Sequence, residues 1–230
     1  GTGTIGSAWA AHFLAQGLDV IATDPNPEAG KKLRTAIDNA WPSLEQLGLA
    51  KDASRDRLHF TTSLDEALKD VDFIQESTPE NNDIKDKVMS AISKAARPDV
   101  IIASSTSNIV PTRLQAHCEI PQRMIVGHPF NPVYLIPLVE VVGGKHTAPE
   151  TIRWAMEFYQ HWGKTPLHCR GEIPGHLANR LQEALGNEAM QLVAEGIATT
   201  DEIDAALTAG PGLRWALMGT FMTGHLAAGE

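Results

Sequence analysis

Along the first 170 positions the apolar residues alternate between two spacings. Residues 4–17 repeat at helical period, with Ile5, Ala8 and Phe13 on one face. Short apolar runs at 19–23, 73–75, 100–103, 124–127 and 138–142 read as buried strands, and 167–169 as a last one. A polar helical stretch from Pro27 to Leu49 is expected to break at Trp41–Pro42 into a helical hairpin, since proline removes a helix N–H. Strands and helices taking turns in this way predict a mostly parallel sheet with helices on both faces.

After Gly171 only the helical period remains. Pro174 suits the first turn of a helix running to Ala198, where its missing N–H is not needed. Thr200 is expected to cap a second helix ending at Gly210, with Asp201 and Glu202 favourably placed near its positive end. A third begins near Leu213. The expected organisation is an α/β domain over 1–171 and an all-helical domain over 172–230. The chain opens on a glycine turn that a strand should feed, and it stops inside a helical pattern. Further chain is therefore expected at both ends.

Composition narrows the partners. The 230 residues carry a formal net charge of −9, which argues against a polyanion such as nucleic acid and mildly favours a cationic substrate. The two cysteines, Cys118 and Cys169, suggest neither a disulfide framework nor a metal site, and fit a reducing cytoplasm. No apolar run approaches the roughly 20 residues of a membrane helix.

Gly1-x-Gly3-x-x-Gly6 opens the first helix, with Thr4 and Ile5 between the last two glycines. Such a turn lets backbone N–H groups and the helix dipole approach a pyrophosphate. Asp24, about 20 residues on at the end of the next strand, supplies the carboxylate that accepts ribose hydroxyls and repels a 2′-phosphate. Pro25-Asn26-Pro27 follows, without an arginine to receive that phosphate. NAD is thus expected over NADP, on a Rossmann-type sheet.

His128 leaves an apolar strand at its carboxyl end, where ligands bind in such folds, and Glu140 lies on the next strand. An imidazole steadied by a carboxylate suits removal of an alcohol proton near neutral pH. His117, His146, His161 and His168 read as surface or capping residues.

His128-Pro-Phe-Asn131-Pro followed by Leu138-Val-Glu140-Val-Val resembles the signature of the 3-hydroxyacyl-CoA dehydrogenase superfamily. Ala103-Ser-Ser-Thr-Ser107-Asn108 resembles its serine-rich loop, Pro79-Glu80-Asn-Asn-Asp-Ile-Lys85 its nicotinamide segment, and Pro174-Gly-His-Leu-Ala-Asn179-Arg180 the start of its C-terminal domain. The resemblance spans essentially the whole chain. It implies that His128 is the base with Glu140 as its partner, and that Ser107 and Asn179 position the substrate oxygen. It also implies that Glu80, Lys85 and Asn131 hold the nicotinamide end of NAD, and that the helical domain mediates a homodimer.

Gly210-Pro-Gly-Leu-Arg214-Trp215 departs from the acyl-CoA enzymes and is similar to the lambda-crystallin branch, with likeness to members acting on L-carnitine. L-Gulonate and a 3-hydroxyacyl-CoA are the alternative substrates. A trimethylammonium group donates no hydrogen bonds and is best held by aromatic faces, for which Phe130, Tyr134, Trp215 and Phe221 are candidates. Arg214 could pair with the carboxylate. A non-catalytic crystallin-like or dinucleotide-sensing protein would have no need to keep Ser107, His128, Glu140 and Asn179 together.

Overall fold

Two strands buried on both faces form the centre of the chain. In the computed structural model, which describes residues 1–229, β4 (Ile101–Ser104) and β5 (Met124–Pro129) are buried at every position. Helices cover both sides of a parallel sheet, so such strands read as continuous apolar runs. They lie in a five-stranded sheet of order β3 (Phe73–Glu76), β4, β5, β6 (Leu138–Gly143), β7 (Thr165–Cys169). Every pair is parallel except β5–β6. A separate parallel pair joins β1 (Val20–Thr23) to β2 (Leu58–Thr61).

The helices of this first unit are α1 (Thr4–Ala15), α2 (Ala29–Leu47), α3 (Leu64–Leu68), α4 (Asn82–Ala95), α5 (Pro111–Gln115) and α6 (Pro149–His161). Helix α1 is buried all round from Ser7 to Ala15, rather than along one face. Its Trp9 stacks on Phe13 at 5.1 Å and Leu14 is fully enclosed. Burying each such side chain stabilises the fold by about 1.5–3 kcal/mol.

The expected hairpin at Trp41–Pro42 is not there: α2 runs unbroken through Pro42. Leu33, Ile37, Ala40, Trp41 and Leu44 continue one buried stripe across the proline and pack with Leu14 of α1. That shared burial outweighs the interior proline penalty of about 3 kcal/mol. Strand β2 escaped the sequence reading because its pattern, with His59 exposed between Leu58 and Phe60, carries little apolar signal.

The chain divides into units Gly1–Leu177 and Ala178–Glu230, six residues beyond the boundary read from the sequence. Residues 172–177 stay tied to the first unit: Thr112 donates to Glu172 through its N–H (2.6 Å) and hydroxyl (2.5 Å), and Leu177 N–H donates to Glu140 Oε1 (2.9 Å). The second unit holds α7 (Ala178–Ala194), α8 (Thr200–Thr208), α9 (Pro211–Trp215) and α10 (Thr220–Ala228). Pro174 does not open a helix, since Gly175 (φ 79°) and His176 (φ 50°) are left-handed and α7 starts only at Ala178. The cap of α8 is Thr199, one residue before Thr200, in a reciprocal box with Glu202. Among the described residues no helix is long and apolar enough to cross a membrane.

Candidate active site

The dinucleotide turn is built by steric exclusion. A Cβ on Gly6 would stand 2.0 Å from the Gly1 carbonyl oxygen, and one on Gly1 would stand 2.6 Å from that of Ser77. Gly3, at the N-cap of α1, would meet nothing within 4 Å. The fold itself thus requires the outer two glycines, while the space over Gly3 is open for a ligand's close approach. Asp24 closes the other end. Its Oδ2 accepts from the Thr2 N–H and hydroxyl, each at 3.2 Å, and its Oδ1 accepts from Asn26 N–H at 3.1 Å. Partial burial pushes this carboxyl up, but the N–H groups of Asn26 and Thr2 outweigh it and hold it below the usual carboxylate range. A carboxylate hydrogen-bonded beside an open glycine turn fits the ribose and pyrophosphate of NAD.

The candidate base and its carboxylate partner lie across the antiparallel pair. In the β5–β6 register His128 stands opposite Glu140, so both side chains leave the same face. Glu140 Oε2 is 2.8 Å from His128 Nδ1, and Ser107 Oγ is 3.1 Å from Nε2. A carboxylate only accepts, so Nδ1 carries a proton toward Glu140, and in the neutral ring Nε2 accepts from the serine hydroxyl. Glu140 is fully buried and His128 is 4% exposed. Phe130 packs edge-on against the imidazole at 5.1 Å.

Lys85 differs from expectation. Its ammonium, 1% exposed, donates to both oxygens of Glu76 at 3.0 Å and to the Thr78 carbonyl at 3.2 Å. With three donors satisfied in the protein interior, it is occupied as a loop anchor rather than held out to a cofactor. Glu76 also accepts from Ser104 Oγ (2.5 Å) and from Thr78 N–H (2.5 Å) and Oγ1 (2.6 Å). Burial would raise the Glu76 carboxyl, yet Lys85 and these donors hold it below its ordinary value. Sequence reasoning missed Glu76; a charged residue ending the apolar strand Phe73-Ile74-Gln75 was the available signal. Glu80 faces the serine loop, accepting from Thr106 Oγ1 (2.5 Å) and Asn108 N–H (3.0 Å).

The remaining candidates are spread more widely. Asn131 is exposed just past β5. Tyr134 is half-buried and packs against the apolar clusters around Trp9 and Leu14, which makes it a core residue. Asn179, Arg214, Trp215 and Phe221 belong to the second unit, at the start of α7, the end of α9 and the start of α10. Trp215 is 40% and Phe221 95% exposed, and no ring contact joins them among the described residues. His176, two positions before α7, was also missed as a site residue; its ring centroid lies 5.0 Å from that of His128.

A glycine turn open over Gly3 and an imidazole paired with a carboxylate at the carboxyl end of β5 fit hydride transfer from an alcohol to a dinucleotide. Fold and site together define an NAD-dependent dehydrogenase. The profile described as 3-hydroxyacyl-CoA dehydrogenase, NAD binding domain, matches residues 1–173, and that of the family's C-terminal domain matches residues 175–230. The chain belongs to the 3-hydroxyacyl-CoA dehydrogenase family. It is 54% identical over all 230 residues to an L-carnitine dehydrogenase of Bacillus cereus, covering 71% of that protein. It is 55% identical over its full length to one of Pseudomonas aeruginosa, covering 72%. Among solved structures it is similar to an NAD+ dependent dismutase, FHMPC 5-dehydrogenase (TM-score 0.93, 33% identity, 99% of this chain and 74% of that one). It is also similar to (S)-3-hydroxybutyryl-CoA dehydrogenase of Ralstonia eutropha (TM-score 0.82, 32% identity, 90% and 74%).

Proposed function

We propose that this NAD-dependent 3-hydroxy acid dehydrogenase oxidises L-carnitine to 3-dehydrocarnitine, with His128 as base and Glu140 as its orienting partner. The observation that carries the chemistry is the aligned set Ser107 Oγ, His128 and Glu140, at 3.1 and 2.8 Å. The substrate assignment is supported by relatives named L-carnitine dehydrogenase that match the whole chain at over half identity. Gly1, Gly3 and Gly6 would hold the pyrophosphate of NAD and Asp24 its adenosine ribose. NAD, when bound, supplies the hydride acceptor.

His128 Nε2 takes the proton of the 3-hydroxyl, and Glu140 stabilises the imidazolium that results. Ser107 hands over its hydrogen bond to the substrate oxygen, a role shared with Asn179. Phe130, packed on the imidazole, shields the reacting carbon from water. Glu80 and Asn131 are assigned to the nicotinamide side. Arg214, Trp215 and Phe221 are assigned to the carboxylate and trimethylammonium of the substrate, a choice supported by the accessible rings of Trp215 and Phe221.

We further assign the protein to a homodimer through its helical unit, where Leu181, Leu213 and Leu217 each expose two thirds or more of their surface. A cytoplasmic location suits its two free thiols, Cys118 and Cys169. Initial rates of NADH and NADPH formation with L-carnitine, L-gulonate and 3-hydroxybutyryl-CoA test the reading. Carnitine with NAD should exceed the others by at least about tenfold, the factor that 1.4 kcal/mol of preference gives. A faster rate with either rival would replace the substrate.

A further inference from the structure

Ser107 sits on a loop whose backbone is gripped from two directions. On one side Glu80 accepts from the Thr106 hydroxyl and the Asn108 N–H, at 2.5 and 3.0 Å. On the other, the turn after β7 contributes two donors. Gly175 N–H reaches the Ser107 carbonyl at 3.2 Å, and His176 Nε2 lies 3.1 Å from the Thr106 carbonyl. A carbonyl only accepts, so Nε2 of His176 carries its proton.

The left-handed pair Gly175 and His176 is what turns both donors toward the serine loop. Positive φ at a residue other than glycine carries a steric cost and persists where surrounding contacts hold it. His176 is 1% exposed, and its Nδ1 has no hydrogen-bond partner among the described residues. Among those residues the Thr106 carbonyl is thus the one hydrogen-bond partner that orients this ring. Burial, the largest influence, lowers the basicity of His176, and the neighbouring His128 acts in the same direction.

We propose that His176 is a positioning residue for the dehydrogenase reaction, holding the Thr106 carbonyl so that the Ser107 hydroxyl stays aligned on His128. The inference rests on the His128–Ser107 site described under the proposed function. Displacing a positioned hydroxyl by an ångström costs on the order of 100-fold in rate. An apolar ring at 176 would fill the same space without the donor, leaving the Thr106 carbonyl without this hydrogen bond.

The test is a double-mutant cycle in the full-length protein, read as NADH formation from L-carnitine, with NAD affinity measured separately by fluorescence titration. His176→Phe should lower kcat by about 10- to 100-fold while the Kd for NAD changes by less than about twofold. His176→Gln, whose amide N–H can replace the Nε2 donor, should recover most of that loss. In a Ser107→Ala background the His176→Phe change should cost little more, because the group it aligns is gone. Equal loss in both backgrounds, or no recovery with glutamine, would overturn the proposal. Should His176→Phe fail to fold, His176→Met, which also lacks the donor, carries the same cycle with the same expected outcomes. Full turnover by His128→Ala would instead bring down the underlying site, an outcome that reads differently from every one above.

Discussion

Glu140 stands directly across the β5–β6 pair from His128, its Oε2 2.8 Å from Nδ1, and its other oxygen accepts the Leu177 N–H at 2.9 Å. One carboxylate therefore orients the imidazole and pins the last residues of the first unit. His128→Ala should cut kcat by about 100- to 10,000-fold, the range for a general base, while NAD still binds. Glu140→Gln should lose a comparable factor, because an amide holds the required tautomer less well and cannot stabilise imidazolium. Stopped-flow turnover alongside NAD titration checks both; near-normal kcat in His128→Ala would exclude this base.

On the proposed reading, cofactor choice turns on Asp24. Its Oδ2 accepts from the Thr2 N–H and hydroxyl, beside the glycine turn proposed to hold the pyrophosphate. Asp24→Ala should raise the KM for NAD by about tenfold or more, the worth of charged hydrogen bonds, and narrow the preference over NADP. Steady-state kinetics with both dinucleotides give the answer, and an unchanged NAD/NADP ratio would remove Asp24 from the site.

Lys85 and Glu76 form a buried ion pair at 3.0 Å, each 1% exposed at the side chain. Lys85→Met leaves that carboxylate buried without its cation and should cost about 3–5 kcal/mol of stability. Urea unfolding measures it. A variant as stable as wild type but weak in NAD binding would return Lys85 to the cofactor.

Acid sensitivity has a named source in His12, whose Nε2 lies 2.8 Å from the Trp162 carbonyl. Burial, reinforced by the nearby Lys164 charge, lowers this histidine from 6.5 to about 3. The unfolded chain takes up its proton near pH 6.5 and the folded chain only near 3, so stability is complete above 6.5 and drains away as pH falls between the two. At about pH 5 the loss from this group is about 2 kcal/mol. His12→Gln keeps a donor for Trp162 and should flatten the melting temperature between about pH 7.5 and about pH 5. An unaltered slope would acquit His12.

The sequence by itself determined the parts whose signal is local. The glycine turn, Asp24, and the strands around 101–104, 124–129 and 138–143 announce themselves by spacing and by uninterrupted apolar runs. So did His128 and Glu140, because strand periodicity and motif likeness both act within a few residues. Tertiary structure decided the rest. Pro42 stays helical because α1 rewards a continuous stripe, and Lys85 turns inward because Glu76, nine residues away, is buried beside it. His176 meets the Thr106 carbonyl across 70 positions, through a left-handed turn that no pattern of apolar residues encodes. Contacts between distant segments depend on how whole elements pack. The energy that settles them, shared burial and buried charge pairing, is absent from any short window of sequence.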